Sequence, residues 1–117
     1  MRDFKKLLIW QKGMTIVSEI YKSCKFFPKE EMFGLQSQTT RAAVSNPSNI
    51  AEGSAKKSTK EYKYYLETSL ASAFELETHL LIINEQNWFP EATIRELLNR
   101  VGEEQKMLSA FINRIET

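Results

Sequence analysis

The chain has 117 residues, of which 42% are hydrophobic and 26% charged, and its formal net charge is +1. This length and composition predict one globular domain over residues 1–117, with no room for a separate catalytic module. Cys24 is the only cysteine, which excludes an intrachain disulfide, and no apolar run approaches the roughly 20 residues of a membrane span. We therefore expect a soluble, cytoplasmic protein.

The first segment carries two apolar stripes at helical spacing. One is a heptad seam of the kind found in four-helix bundles. The other is rotated by roughly a quarter to a third of a turn, so one stripe can pack within the chain and the other needs separate cover. The seam consists of Leu7, Trp10, Met14, Val17, Tyr21 and Cys24, and the second stripe of Ile9, Ile16 and Ile20. The helix should end near FFPKE, because the residue before Pro28 is disfavoured in helical geometry.

The second helix is predicted from about Met32 to about Gly53 and contains RAAVSNPSNIAEG. Pro47 removes a backbone donor and its ring collides with the carbonyl four residues earlier. Small and apolar residues nevertheless continue on both sides of it. We therefore predict a kink at Pro47 inside one helix, rather than a helix boundary.

Two further helices complete the predicted fold. Ser58 and Glu61 form a capping box that starts the third helix, which should reach about Glu85. Pro90 then marks the entry to a fourth amphipathic helix. Short connections between long helices imply antiparallel neighbours, so the sequence predicts an all-α, up-down-up-down four-helix bundle.

The residues for common enzyme chemistries are missing from the sequence. His79 is the only histidine and Asp3 the only aspartate, which leaves no di-iron motif and no Ser/His/Asp triad. The four glycines are scattered and form no phosphate loop. We therefore predict no enzymatic activity, no cofactor and no metal, and a structural or solvated role for His79.

The charges are unevenly distributed along the chain. Residues 1–27 carry six Lys or Arg against two acids, and residues 54–64 carry four lysines against one acid. These segments would form one basic patch if the fold brought them together. The second segment also interleaves lysines with Tyr62, Tyr64 and Tyr65, a pattern suited to holding phosphates while an aromatic ring stacks on a base. The alternative, which composition alone favours, is a solvated helix end with Tyr62 and Tyr65 in the core.

Four stretches occur in order over residues 3–89: DFKKLLIWQKGMTIVSEIYK, FPKEEMFGL, RAAVSNPSNIAEG and YLETSLASAFELETHL. Together they resemble the four-helix-bundle proteins encoded in 23S rRNA intervening sequences. Two positions depart from the usual pattern by carrying Thr39 and Asn46 in place of isoleucine. A third has Thr40 where an arginine commonly precedes Arg41.

The resemblance implies an antiparallel four-helix bundle without established enzymatic activity. It also implies a homo-oligomer, because a related accessory protein of diversity-generating retroelements forms a pentameric barrel that binds nucleic acid and a reverse transcriptase. On this basis we predict a pentamer with Ile9, Ile16 and Ile20 at the subunit contact. The residues predicted to contact RNA or DNA phosphates are Arg41, Lys56, Lys57, Lys60 and Lys63. The alternatives are an adaptor ring that binds only a protein partner and an enzyme with an unrecognised pocket.

Overall fold

The computed structural model describes residues 2–115, which contain four long helices and no strand. Short 3-10 turns at Phe4–Lys6, Cys24–Phe26 and Lys29–Glu31 lie before α1 and between α1 and α2. No helix in this range combines the length and apolar character needed to cross a bilayer. The helices are α1 (Leu8–Ser23), α2 (Leu35–Ser54), α3 (Thr59–Gln86) and α4 (Glu91–Asn113).

The contacts between helices confirm the up-down-up-down order. Each helix packs on its sequence neighbours, and α1 closes the bundle against α4. Between α2 and α3, Asn46 contacts Ser69 whereas Arg41, earlier in α2, contacts Glu75, later in α3. This descending register is that of antiparallel helices, so the predicted four-helix bundle is confirmed.

The helix termini follow the local sequence signals, with one shift. Ser58 accepts a hydrogen bond from the Glu61 amide at 3.0 Å, which confirms Ser58 as the N-cap, but the Glu61 carboxylate accepts from the Ser58 hydroxyl at 3.1 Å and not from the Ser58 amide of a full capping box. The second helix begins at Leu35, three residues later than predicted, where Oε1 of Glu31 accepts the Leu35 amide at 3.0 Å. From there α2 runs without interruption through Pro47 to Ser54.

In α1 the isoleucine stripe faces the core, and the heptad seam lies at the edge of the core. Ile9, Ile16 and Ile20 are only 4%, 4% and 1% exposed, because they pack in the core of their own chain. They are therefore unavailable for a subunit contact, and that prediction is wrong. Met14 and Tyr21 of the heptad seam are instead 42% and 57% exposed. Helical spacing alone did not distinguish the stripes, but Gly13 lies on the isoleucine side and lets neighbouring side chains approach α1 closely.

The core consists of two apolar clusters separated by a polar layer. One cluster lies towards the α1–α2 and α3–α4 connections and contains Ile16, Ile20, Leu76, Leu80, Leu97 and Val101. The other lies towards the α2–α3 turn and contains Ile9, Ile50, Tyr62, Leu66, Leu108 and Ile112. Between them each helix contributes one position, and we call this set the polar layer: Gly13, Asn46, Ser69 and Glu104.

Hydrogen bonds join α2 to α3 within the polar layer. Nδ2 of Asn46 donates to Oγ of Ser69 at 2.9 Å, and that hydroxyl donates to the Asn46 carbonyl at 2.7 Å. Gly13 provides the space, since a Cβ there would lie 2.4 Å from Oδ1 of Asn46 and 3.2 Å from Oε2 of Glu104. The polar residue at position 46 therefore has partners inside the bundle. Thr39, the other departure from isoleucine, is fully buried and its hydroxyl has no partner.

Glu104 is a fully buried acid in this layer. Burial raises the pKa of its carboxyl to about 8, the Glu103 charge adds to the rise and the Lys12 charge opposes it, and neither carboxyl oxygen has a hydrogen-bond partner. At neutral pH the group is therefore largely protonated. Its hydroxyl can then donate to Oδ1 of Asn46. That buried oxygen accepts no other hydrogen bond.

We predict that Glu104→Gln removes a pH-dependent loss of stability. The folded pKa of about 8 lies above the ordinary value of 4.5, so between these values the folded chain holds a proton that the unfolded chain has released. The contribution of Glu104 to the free energy of unfolding is complete below the unfolded-state pKa. It then falls by about 1.4 kcal/mol per pH unit until the pH reaches the folded-state pKa. A carboxamide does not ionise and can still donate to Asn46. The variant should therefore gain stability over the parent as pH rises.

Urea unfolding followed by circular dichroism between about pH 5 and about pH 8 measures this difference. Glu103→Gln is the matched control, because Glu103 is the exposed neighbour that pairs with Lys12 at 3.6 Å. It should keep most of the parent's pH dependence. A constant difference between Glu104→Gln and the parent across this range would contradict a protonated Glu104.

Candidate functional site

Four predicted phosphate-contacting lysines lie around the turn between α2 and α3. Lys56 and Lys57 follow the end of α2, while Lys60 and Lys63 belong to the first turns of α3. Lys57 and Lys60 are exposed, and Lys56 and Lys63 are partly buried. The Ser58 cap fixes the start of α3, and the four lysines lie at the end of the bundle where α2 and α3 meet.

Arg2 lies beside these lysines. The sequence predicted that the two basic segments could meet, but it did not indicate which N-terminal residue makes the contact. The Arg2 guanidinium donates to the carbonyl of Lys56 at 2.6 Å and lies 4.1 Å from the centre of the Tyr62 ring. The two basic segments of the sequence therefore meet. We call the resulting surface the basic end and define it as Arg2, Lys56, Lys57, Lys60 and Lys63. The uneven charge distribution was the only signal for this contact.

The surface of the basic end is open. A depression of about 620 Å³ is lined by Arg2, Ser54, Ala55, Lys56 and Lys57. Within residues 2–115, no group of three or more His, Cys, Asp or Glu side chains is placed to hold a metal ion, here or elsewhere. The depression therefore presents cations and backbone groups, a combination suited to an anionic ligand.

The three tyrosines of this segment occupy different environments. Tyr62 is buried in the core, and burial raises the pKa of its hydroxyl while the Arg2 charge opposes the rise. Tyr65 is partly buried, with Nζ of Lys56 lying 5.1 Å from the centre of its ring. Tyr64 is 64% exposed. The alternative of a solvated helix end placed Tyr62 and Tyr65 in the core. Tyr62 is there, whereas Tyr65 is only partly buried and Tyr64 lies on the surface.

Arg41 lies apart from the basic end. It precedes Lys56 by 15 residues, which corresponds to roughly 20 Å along the helix axis. Its guanidinium pairs with the Glu75 carboxylate and also donates to the Gln38 side chain at 3.0 Å. His79 lies 3.5 Å from the same carboxylate, and burial lowers the pKa of its imidazole. Arg41 thus belongs to a local polar cluster between α2 and α3.

A separate apolar groove lies between α1 and α2, with Met14 and Val44 as its exposed side chains. It has a volume of about 270 Å³, and all but one of its lining residues are apolar. We call it the α1–α2 groove: Trp10, Met14, Val17, Val44, Pro47, Ser48 and Ala51. Further along α3, Phe74, Leu81 and Ile82 are also exposed. The chain therefore presents apolar surface in the α1–α2 groove and on α3, outside the basic end.

Comparison with known proteins decides the family. The model for the 23S rRNA-intervening sequence protein family matches residues 5–110, which is most of the chain. The chain belongs to this family. Comparison with curated proteins gives no match. The resemblance inferred from the four sequence stretches is thus confirmed, and the match extends into α4.

A solved structure supports the fold of this family member. A protein of unknown function from the S23 ribosomal protein family of Bacteroides thetaiotaomicron superposes with a TM-score of 0.83. The match covers 91% of this chain and 96% of that chain, at 22% sequence identity. At this identity the similarity establishes a shared fold, and function has to be argued from the surfaces described above.

Proposed function

We propose that this family member is a non-catalytic, cytoplasmic scaffold that forms a homo-oligomer and associates with the backbone of RNA or DNA through its basic end. The observation that carries the proposal is the contact of Arg2 with Lys56, which adds the N-terminal segment to the lysines of the α2–α3 turn. Phosphate contacts by such cations need no base sequence, and they release condensed counterions on binding.

The local charge balance supports an anionic partner. The basic end gathers five cations at one end of a chain whose formal net charge is only +1. Glu61, the acid within this segment, is occupied by its capping interaction with Ser58. Repetition of the basic end around an oligomer would multiply its field, which strengthens attraction to a polyanion at low salt. Arg41 contributes little to this surface because of its distance and its pairing with Glu75.

The apolar surfaces support the oligomeric part of the proposal. The α1–α2 groove and the exposed residues of α3 are different surfaces, so contact between them on neighbouring copies would be heterologous and could close into a ring. This arrangement uses the exposed stripe of α1 in place of the buried isoleucines. Five copies is the number implied by the family resemblance.

The nucleic-acid part of the proposal predicts salt-dependent binding that depends on the basic end. A triple variant, Lys56→Glu, Lys57→Glu and Lys60→Glu, should bind RNA far more weakly than the parent between about 50 and about 200 mM salt. The slope of log affinity against log salt should also fall by about 2 to 3, because three phosphate contacts are lost. Fluorescence anisotropy with labelled RNA and DNA measures both quantities.

The control for this experiment reverses the same number of charges at the opposite end. Lys22→Glu, Lys25→Glu and Lys29→Glu change exposed lysines near the α1–α2 connection and give the same net charge as the first triple variant. This control should retain most of the binding. Equal losses in the two triple variants would mean that only net charge matters. No binding by the parent at low salt would favour the adaptor ring that contacts only protein.

The oligomeric part predicts a mass five times the 13.6 kDa of the chain. Met14→Glu with Val44→Glu places two charges in the α1–α2 groove, and we expect this variant to dissociate because unpaired charges are costly to bury. Leu8→Glu is the control, since Leu8 is 54% exposed and lies about 120° away around α1. Light scattering after gel filtration at micromolar concentration measures the masses. A monomeric parent would contradict the proposed oligomer.

A further inference from the structure

Tyr64 is an exposed aromatic side chain on the basic end's helix. It is 64% exposed, although Tyr62, two residues earlier, is buried in the core. Its ring meets Tyr65 edge to face, with 5.6 Å between centroids and 88° between the planes. Because the pair leaves so much of Tyr64 in solvent, the ring offers a flat apolar surface that this chain does not use for its own packing.

On the side facing the α2–α3 turn, the helical neighbours of this ring are Lys60 and Glu61, and the Glu61 carboxylate is already engaged by the Ser58 hydroxyl at 3.1 Å. Lys60 precedes Tyr64 by four residues, which places both on one face of α3. Lys56 is held over Tyr65, the ring that contacts Tyr64. Glu67 follows Tyr64 by three residues and puts a negative charge on the other side of it. A phosphate chain that crosses the ring would therefore extend from Tyr64 towards Lys60 and the turn, and away from Glu67.

An aromatic ring beside phosphate-holding cations distinguishes single strands from duplexes. In a single strand a base can leave its neighbours and stack on the ring, and every base has a face that permits this. In a duplex the base faces are covered by adjacent pairs, so only the phosphates are accessible to the lysines. The lysines would therefore contribute to the binding affinity of single strands and duplexes alike. Tyr64 would contribute only to the binding affinity of single strands.

We infer that the basic end binds single-stranded nucleic acid, with one base stacked on Tyr64 and the adjoining phosphates held by Lys60 and the cations of the α2–α3 turn. This inference rests on the proposed nucleic-acid association and specifies its ligand. The lysines supply attraction that any polyanion experiences, and the tyrosine supplies the preference for unpaired bases.

The test compares one RNA strand of about 20 nucleotides, alone and annealed to its complement, by fluorescence anisotropy at low salt. Tyr64→Leu keeps an apolar side chain at this position but removes the π face. It should weaken binding of the single strand by about 5- to 100-fold and change binding of the duplex by less than about twofold. Tyr64→Trp should restore single-strand binding to at least the parent's affinity.

Tyr21→Leu is the matched control, because Tyr21 is 57% exposed on α1 at the other end of the bundle. It should bind both ligands as the parent does. If Tyr64→Leu left single-strand binding unchanged, or weakened both ligands equally, base stacking on Tyr64 would be refuted while nucleic-acid association stood. If the parent bound neither ligand, the proposed function itself would fail, and the inference with it.

Discussion

The polar layer is the constraint that fixes how the four helices fit together. Asn46 and Ser69 exchange hydrogen bonds, and Glu104 faces both the Asn46 side chain and the space left by Gly13. A shift of one helix by a single turn would break the Asn46–Ser69 hydrogen bonds and move polar groups against apolar side chains, at a cost of several kcal/mol. One polar position in each of three helices, with a glycine in the fourth, therefore sets the register of the whole bundle.

That register also determines where the basic end forms. The apolar cluster on one side of the polar layer ends at Tyr62, which is buried by Leu66, Leu108 and Ile112. The Tyr62 ring in turn provides the face on which the Arg2 guanidinium lies, while the carbonyl of Lys56 accepts its hydrogen bond. The N-terminal segment is thus attached to the α2–α3 turn through core packing. The chemistry of the surface follows from the arrangement of the interior.

The sequence was sufficient for the architecture because its signals are local. The N-cap at Ser58 and the three-four spacing of apolar residues each act within one helix, and short connections leave an antiparallel bundle as the simple solution. The prediction of which α1 stripe faces inward failed because that choice depends on contacts between helices. Ile9, Ile16 and Ile20 have the same helical spacing as the seam, and the deciding feature, close approach at Gly13, involves residues on α2 and α4.

The candidate site was predictable only in part for a similar reason. Lys56, Lys57, Lys60 and Lys63 are close in sequence, so their proximity could be inferred before the fold was known. Arg2 lies more than 50 residues from its partners. Arg41 lies on α2, but it is roughly 20 Å from the basic end along the helix axis. Glu104 lies three residues after Val101 and four before Leu108, which is the spacing of the buried stripe of α4, but the adjacent Glu103 makes the pair resemble a solvated helix face.

The central claim is that the basic end is where this protein meets nucleic acid. Amide chemical shifts of the isotopically labelled chain, followed by NMR during titration with single-stranded RNA, locate the contact residue by residue. We expect the largest changes at Arg2 and across residues 54–64, with little change along the α1–α2 groove. Changes concentrated in the groove, or no changes at low salt, would contradict the account.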